Sequence, residues 1–594
     1  VRVTRLAAVL VLVVPLVGCG MSGPKPEDTA NAFLGAFAKG DLGTAAKETD
    51  APDSAQDQMS EVREALEPKS VTTKVEEVNQ ADGSSTANVA YSITWDLGEG
   101  RKWTYDSHIE LRESDDKWQI HWSPAVIHPK LAQQQAIAVQ GEQPELAPVL
   151  DRDGNLVLAP NRVVSVLLEK DKAGNVTSVA GALATALRGF DRTITQATIL
   201  AGAGKTPAGQ PYQVAALRQA DYDLVKPRIY DLPGVRFTSA PRLLPNDKKF
   251  APTLLPGIRK VVEAELTGKA GWRVITIDPT GAEVEELYAK SAEPAEAAST
   301  TLSVGVQDAA QAAVNSEPTA SMIVAMQPST GELLAVAQNA PADKQGPIAF
   351  MGRYPPGSTF KIVTAASALA AGKVTGATKV GCPGTLTVEG REIPNAGKFD
   401  KGTITLSSAF AYSCNTTFAQ LATRMGPSDL TGMAKNLGLG VDFVMPGATT
   451  ITGSVPPASN VVERAEDGFG QGKVVASPFG MALLVSTVAT GTMPTPSLLR
   501  DEKTEADSKV EPVSGPVLDG VRAMMAEMVR ITPALKAFPE LRGKTGTAQY
   551  GDGTHSHGWF VGYQGDMAFA VLLTGAEKSS KAVTAAARFL SGLS

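Results

Sequence analysis

A lysine stands at the head of an apolar, alanine-rich run in this chain, and any structure the chain adopts has to accommodate it. Residues 355–369 read PPGSTFKIVTAASAL. Pro355, Pro356 and Gly357 stop whatever precedes them, and the run KIVTAASALAA carries no charge after Lys361, which is the composition of a buried helix. Burying the helix buries the amine at its start. Ser358 lies three positions before Lys361, so the two share a helical face. A serine hydroxyl is inert until a base takes its proton, and an amine with a reference pKa of about 10.4 is normally charged at neutral pH. Burial lowers that pKa, and a second cation nearby lowers it further. The start of the helix adds free N–H groups and a positive field, both suited to a developing oxyanion.

The spacing alone proves little. Ser114-Asp115-Asp116-Lys117 repeats it in an acidic turn between two amphipathic segments, where nothing desolvates the lysine. Around Ser358 the chain offers more. Lys544, in Lys544-Thr545-Gly546-Thr547 on a late strand-like segment, supplies the second cation, and Ser413-Cys414-Asn415 falls between the two in a small, polar break in helical sequence. Taken singly, Ser413 and Asn415 read as a helix cap or turn and Lys544 as a solvated strand residue. Only their ordered combination reads otherwise.

Other motifs do not survive inspection. AGAGKTPAG around Lys205 has Ile199 where a phosphate loop needs glycine, and Pro207 follows where a helix should begin; GFGQGK at 468–473 is followed by Val474 where Ser or Thr is required. His555-Ser556-His557 lacks metal-ligand spacing, so neither metal nor cofactor is expected. A net charge of −7 argues against a nucleic-acid partner.

At 594 residues the chain has room for several domains. Arg2 and Arg5 precede the apolar run Leu6 to Val17, too short to span a bilayer comfortably, so residues 1–18 read as an export signal. From Thr29 a helical period (Ala30, Phe33, Leu34, Phe37) gives way to strict alternation through Val89, Tyr91, Ile93 and Trp95, which predicts a small α+β domain over 25–138. GEQPELAP at 141–148 and SAEPAEAAST at 291–300 read as linkers around mixed α/β sequence, giving a second domain over 147–295. The remainder, 301–594, opens with a helix and a hairpin and closes with three strand-like runs, predicting one antiparallel sheet built from both ends with a helical part inserted. Outside the cytosol Cys382 and Cys414 can pair; two small buried thiols is the other reading, and sequence alone does not choose.

The elements Ser-x-x-Lys, Ser-x-Asn and Lys-Thr-Gly, in that order, are the signature of class A β-lactamases and penicillin-binding proteins. Together with PPGSTFKIVTAASAL, AFAYSCNTTFAQLA, FGQGKVVASPFGMALL and GKTGTA, residues 301–594 resemble the transpeptidase domain of class B penicillin-binding proteins. LDRDGNLVLAPNR resembles the start of that family's pedestal or dimerisation domain, and residues 25–138, ending WQIHWSPAVIHPKL, resemble the NTF2-like N-terminal domain of its MecA-type members. LVGC, ending at Cys19, resembles a lipobox. The fold implied is multidomain α+β: an NTF2-like domain, an elongated pedestal and a serine β-lactamase/penicillin-binding transpeptidase domain.

The resemblance also implies roles. Ser358 is the acylated nucleophile, Lys361 its base and Ser413 a proton relay to the leaving amine. Asn415 holds the substrate amide; Lys544, Thr545 and Thr547 bind its terminal carboxylate, with Gly546 leaving room for it; the N–H groups of Ser358 and Thr547 form the oxyanion hole. Cys19 carries a diacylglycerol that anchors the protein to the outer face of the bacterial plasma membrane. The implied activity is peptidoglycan D,D-transpeptidation on D-Ala-D-Ala stem peptides, with acylation by β-lactam antibiotics and a membrane glycan polymerase of the SEDS family as partner. A β-lactamase or D,D-carboxypeptidase is the enzymatic alternative, and a non-catalytic β-lactam sensor or cell-wall scaffold the non-enzymatic one.

Overall fold

The helical period that begins near Thr29 becomes a helix, Pro26–Lys39, with proline in its first turn, Glu27 and Asp28 at its positive end and Gly40 closing it in the left-handed conformation. The computed structural model describes residues 25–247, 250–263 and 265–593. Cys19 and the apolar run before it lie outside these residues.

The helix lays Ala30, Phe33, Leu34 and Phe37 on a four-stranded antiparallel meander, Ser70–Gln80, Thr86–Asp96, Lys102–Ser114 and Lys117–Ile120. The alternation read in the sequence is the alternation of the sheet: Val89, Tyr91, Ile93 and Trp95 all face the core. Phe37 meets Trp95 edge to face at 5.7 Å, and Trp95 stacks on Trp103 at 6.4 Å. The aromatic rows serve as packing.

This first unit does not end where the sequence suggested. Among the described residues it comprises 25–144 together with 269–293. Strand Gly271–Ile277 pairs with Ala136–Glu142 on one side and Glu283–Lys290 on the other, and Trp272, Val274 and Ile137 join the same core as Phe33 and Trp95. Residues 269–293, expected within 147–295, thus leave and return.

The second unit comprises 145–268 and 294–594. In its first part a long strand, Leu156–Leu168, is flanked by Tyr212–Arg218 and Val235–Pro245, with helices Val176–Leu187, Gln196–Lys205 and Gln219–Ile229 beside them. The AGAGK stretch is the end of the second of these helices. Gly202 is required there by packing, since a Cβ would stand 2.2 Å from the Tyr212 ring. The Asp-Arg-Asp-Gly-Asn stretch is a tie between the parts of the unit. Asp151 Oδ1 accepts from the N–H groups of Asp153 and Asn155, both at 2.8 Å, and Oδ2 from Val304 N at 3.0 Å, the first residue of helix Val304–Asn315.

The second part is built on a five-stranded antiparallel sheet in the order Leu333–Gln338, Ser321–Met326, Met567–Leu573, His555–Gln564, Arg542–Tyr550. Both ends of this stretch of chain thus contribute to one sheet. Helices Val304–Asn315 and Ser579–Ser591 cover one face. Pro478–Thr490, buried on nearly every side, lies against the other. Beyond it stand the helices that carry the site, Lys361–Ala370, Leu406–Ala411 and Asn415–Thr423.

Candidate active site

The turn before the lysine is held from several directions. Gly357 has φ +52°, and a Cβ on it would lie 2.5 Å from Thr547 O, so only glycine lets this turn touch strand Arg542–Tyr550. Gly357 N donates to Gly470 O at 2.9 Å, and a Cβ on Gly470 would stand 2.1 Å from Gly357 O. The Gly-Gln-Gly stretch, unsuited to a phosphate, is therefore a backbone brace under the serine. Trp559 Nε1 donates to Pro355 O at 2.9 Å and Thr359 Oγ1 to Pro356 O at 2.7 Å. A single 3₁₀ turn, Gly357–Phe360, then presents Ser358 to a cleft of about 690 Å³.

Lys361 is fully buried. Its Nζ lies 2.9 Å from Ser358 Oγ, 2.7 Å from Ser413 O, 2.8 Å from Asn415 Oδ1 and 3.2 Å from Ser413 Oγ. Two of these partners, the Ser413 carbonyl and the Asn415 amide oxygen, can only accept. A neutral amine has two N–H donors and one lone pair; with both donors given to those oxygens, the lone pair remains for a hydroxyl. Burial, and then the neighbouring Lys544, hold the Lys361 amine well below the ordinary lysine range.

Ser413 lies between helices Leu406–Ala411 and Asn415–Thr423 with φ +65°, a left-handed conformation that is uncommon for a residue with a side chain. The turn aims both its carbonyl and its hydroxyl at Lys361. Its Oγ also accepts from Lys544 Nζ at 3.0 Å, so one hydroxyl stands between the two amines. Lys544 donates to Thr545 O at 2.9 Å and is itself fully buried, which pushes its amine down to about 7. The rings of Phe410 and Phe418 face the pair, 5.5 Å from Lys544 Nζ and 5.6 Å from Lys361 Nζ. One hydroxyl thus stands between two amines in a dry site, where burial disfavours the charge on each and the neighbouring cation disfavours it further on Lys361.

Of the residues singled out in the sequence, Ser358, Ser413, Asn415, Thr545 and Thr547 line the cleft, and Lys361 and Lys544 lie beneath it. Gly546 does not line it. The position of its missing Cβ points at Pro356 O, 2.8 Å away, so the glycine lets the strand approach the serine's turn. Asn415 holds Lys361 with its oxygen and gives its Nδ2 to Pro394 O at 3.1 Å. Gly357, Gly470, Trp559 and Phe410 were not foreseen. Only the glycines left a trace in the sequence, as turn signals without a partner. Cys382 and Cys414 form a disulfide, Cα to Cα 5.9 Å, at the centre of the Ser-Cys-Asn element. Among the described residues no group of His, Cys, Asp and Glu is arranged to hold a metal, and no helix is long and apolar enough to cross a membrane.

Comparison with known proteins places this geometry. Residues 321–591 match the penicillin binding protein transpeptidase domain, and residues 25–135 the NTF2-like N-terminal transpeptidase domain. The chain is 28% identical over 291 residues to the peptidoglycan D,D-transpeptidase PbpA of Mycobacterium tuberculosis, a match covering 41% of this chain and 59% of that protein. It is 23% identical over 578 residues to penicillin-binding protein 3 of Bacillus subtilis, covering 83% of each. Among solved structures, the complex between penicillin-binding protein PBP2 and MreC from Helicobacter pylori contains a chain similar in fold, with a TM-score of 0.57 and 17% identity over 76% of this chain and 98% of that one. With an NTF2-like unit ahead of it and the Ser-x-x-Lys, Ser-x-Asn and Lys-Thr-Gly elements meeting at one cleft of a transpeptidase domain, the chain belongs to the class B penicillin-binding proteins.

Proposed function

We propose that the chain is a peptidoglycan D,D-transpeptidase. The observation that carries this is Lys361: a fully buried amine 2.9 Å from Ser358 Oγ, with its donors directed to two acceptor-only oxygens. Neutral, it accepts the Ser358 proton as Oγ attacks the penultimate D-Ala carbonyl of a stem peptide. The oxyanion is received by the N–H groups of Ser358 and Thr547, whose backbones are brought together where Gly357 meets Thr547 O. Ser413, within reach of both amines, passes a proton to the departing D-Ala nitrogen as the C–N bond breaks, leaving an ester on Ser358. Lys544, Thr545 and Thr547 hold the terminal carboxylate. An amine of a second stem peptide attacks the ester carbonyl; the new C–N bond forms, the bond from the acyl carbon to Ser358 Oγ breaks, and the proton the amine loses passes through Lys361 to Oγ.

β-Lactams enter the same path, because their amide carbonyl and carboxylate stand as those of D-Ala-D-Ala do. Mass spectrometry of the protein after benzylpenicillin treatment is expected to show one adduct, on the peptide containing Ser358. Unmodified protein at saturating drug refutes the proposal. Rapid release of hydrolysed drug would instead mark a β-lactamase.

The apolar run after Arg2 and Arg5 and the LVGC tetrapeptide support attachment through Cys19 to the outer face of the plasma membrane. A membrane glycan polymerase of the SEDS family is proposed as the partner that makes the strands this enzyme cross-links. Metabolic labelling with palmitate, lost in a Cys19→Ala variant, tests the anchor.

A further inference from the structure

Cys414 is the middle residue of the Ser413-Cys414-Asn415 element, and its side chain points away from the cleft. It starts helix Asn415–Thr423 without a side-chain cap; where Ser, Asp or Asn would bond to the helix, this residue is spent on a covalent bond to Cys382. Both cysteines are fully buried, beside Ala409.

Cys382 is the last residue of strand Lys379–Cys382, which pairs with Gly402–Thr405. That strand and the residue after it are fastened to the start of the helix. Thr417 Oγ1 donates to Gly381 O at 2.7 Å and Thr416 Oγ1 to Pro383 O at 3.0 Å, while buried Asn395 donates to Pro383 O at 2.8 Å and accepts from Thr416 N at 3.2 Å. These hydrogen bonds hold the helix from Thr416 onward, and Asn415 Nδ2 donates to Pro394 O at 3.1 Å. Cys414 N donates to Ala409 O at 2.9 Å, and the disulfide adds at that residue the covalent tie to strand Lys379–Cys382, next to Ser413, whose left-handed backbone aims a carbonyl at Lys361.

We infer that the Cys382–Cys414 disulfide is a positioning device for the reaction proposed above: it holds the strained Ser413 turn so that Ser413 O and Asn415 Oδ1 take the two N–H bonds of Lys361 and leave its lone pair for Ser358. Without it, the turn relaxes from the left-handed conformation, one acceptor is lost and water reaches the amine. The base then becomes easier to protonate, and the near-attack geometry broadens. The titratable group facing Lys361 besides the hydroxyls is Lys544, carried on a different element, strand Arg542–Tyr550, with its Nζ on Ser413 Oγ.

The test compares acylation by a fluorescent penicillin, per folded molecule, in the wild type and in Cys382→Ala/Cys414→Ala, across pH 5 to 9. The expected result is an acylation rate lower by on the order of ten- to a hundredfold, with its acidic limb displaced to higher pH. Asp151→Ala, which loosens the unit far from this turn, serves as the destabilised control and keeps the wild-type limb. If the double variant does not fold, the wild type is treated with dithiothreitol: the reagent's two thiols give two electrons and two protons, the S–S bond becomes two thiols, and reoxidation is expected to restore the rate. An unchanged rate and limb in the double variant, or in protein shown by thiol counting to be reduced, overturns the inference. Failure of the wild type itself to be acylated defeats the proposed function instead, so the two outcomes stay separate.

Discussion

Replacing Lys361 with methionine separates what the lysine does for the fold from what it does for the chemistry. The amine is fully buried and its pKa lies well below the ordinary value, so the folded protein holds it neutral where the unfolded chain, with a pKa of about 10.4, binds a proton. Stability rises with pH wherever the unfolded state binds more protons. The lysine's penalty is therefore absent above about pH 10.4 and grows by about 1.4 kcal/mol for each pH unit below it. It levels off only below the folded pKa. Methionine, similar in length and apolar, escapes this cost but leaves Ser413 O and Asn415 Oδ1 without their donor, a loss of about 1–3 kcal/mol for each buried group left unpaired. For each pH unit between the unfolded and the folded pKa the variant should thus gain about 1.4 kcal/mol relative to the wild type, whatever the constant offset. Denaturant unfolding of both proteins at pH 7, 8 and 9 measures the difference, with acylation by penicillin expected to fall by roughly 10²–10⁴. A difference in stability that does not vary with pH would show that Lys361 stays charged in the fold and refute the reasoning.

Lys544, pushed down to about 7 by burial, binds a carboxylate only while protonated, so acylation efficiency should decline on the alkaline side of that value; a flat profile from pH 6 to 9 contradicts this role. Gly470→Ala places a Cβ 2.1 Å from Gly357 O at a residue with φ +77°, and should cost about 1–3 kcal/mol while slowing acylation, read by thermal melting and gel fluorescence; a wild-type rate would mean the brace under Ser358 is not needed. Asp151→Ala removes the cap of helix Val304–Asn315 and should cost about 1–2 kcal/mol with acylation per folded molecule unchanged; an unaltered melting temperature would deny the tie.

The convergence of the site was legible because its elements are residue types that stand out in the sequence. A serine and a lysine one turn apart at the head of an apolar helix, a late lysine before Thr-Gly-Thr and a polar break between them are each ordinary, but their order is not. The strands of the first unit were legible for a similar reason: a half-buried sheet forces alternation, as at Val89 to Trp95. Pairing over long sequence distance was not. Strand Gly271–Ile277 is a short, mostly apolar run broken by Arg273, and nothing in its own pattern says that it returns to Ala136–Glu142 more than a hundred residues earlier. Glycine roles were also hidden. Gly546 could be read as room for a substrate, yet its open side meets Pro356 O, and Gly470 carries no sign in the sequence that its partner is Gly357, in another element. The disulfide between Cys382 and Cys414 depends on two Cα atoms coming to 5.9 Å, which only the packed helices determine.

Direct observation of the Lys361 amine decides the matter most plainly. An isotope-edited NMR titration with lysine labelled at Cε, assigned by comparison with the Lys361→Met protein, is expected to show this one side chain uncharged at pH 7 and Lys544 titrating close by. A Lys361 signal that reports a protonated amine up to pH 10 would contradict the account.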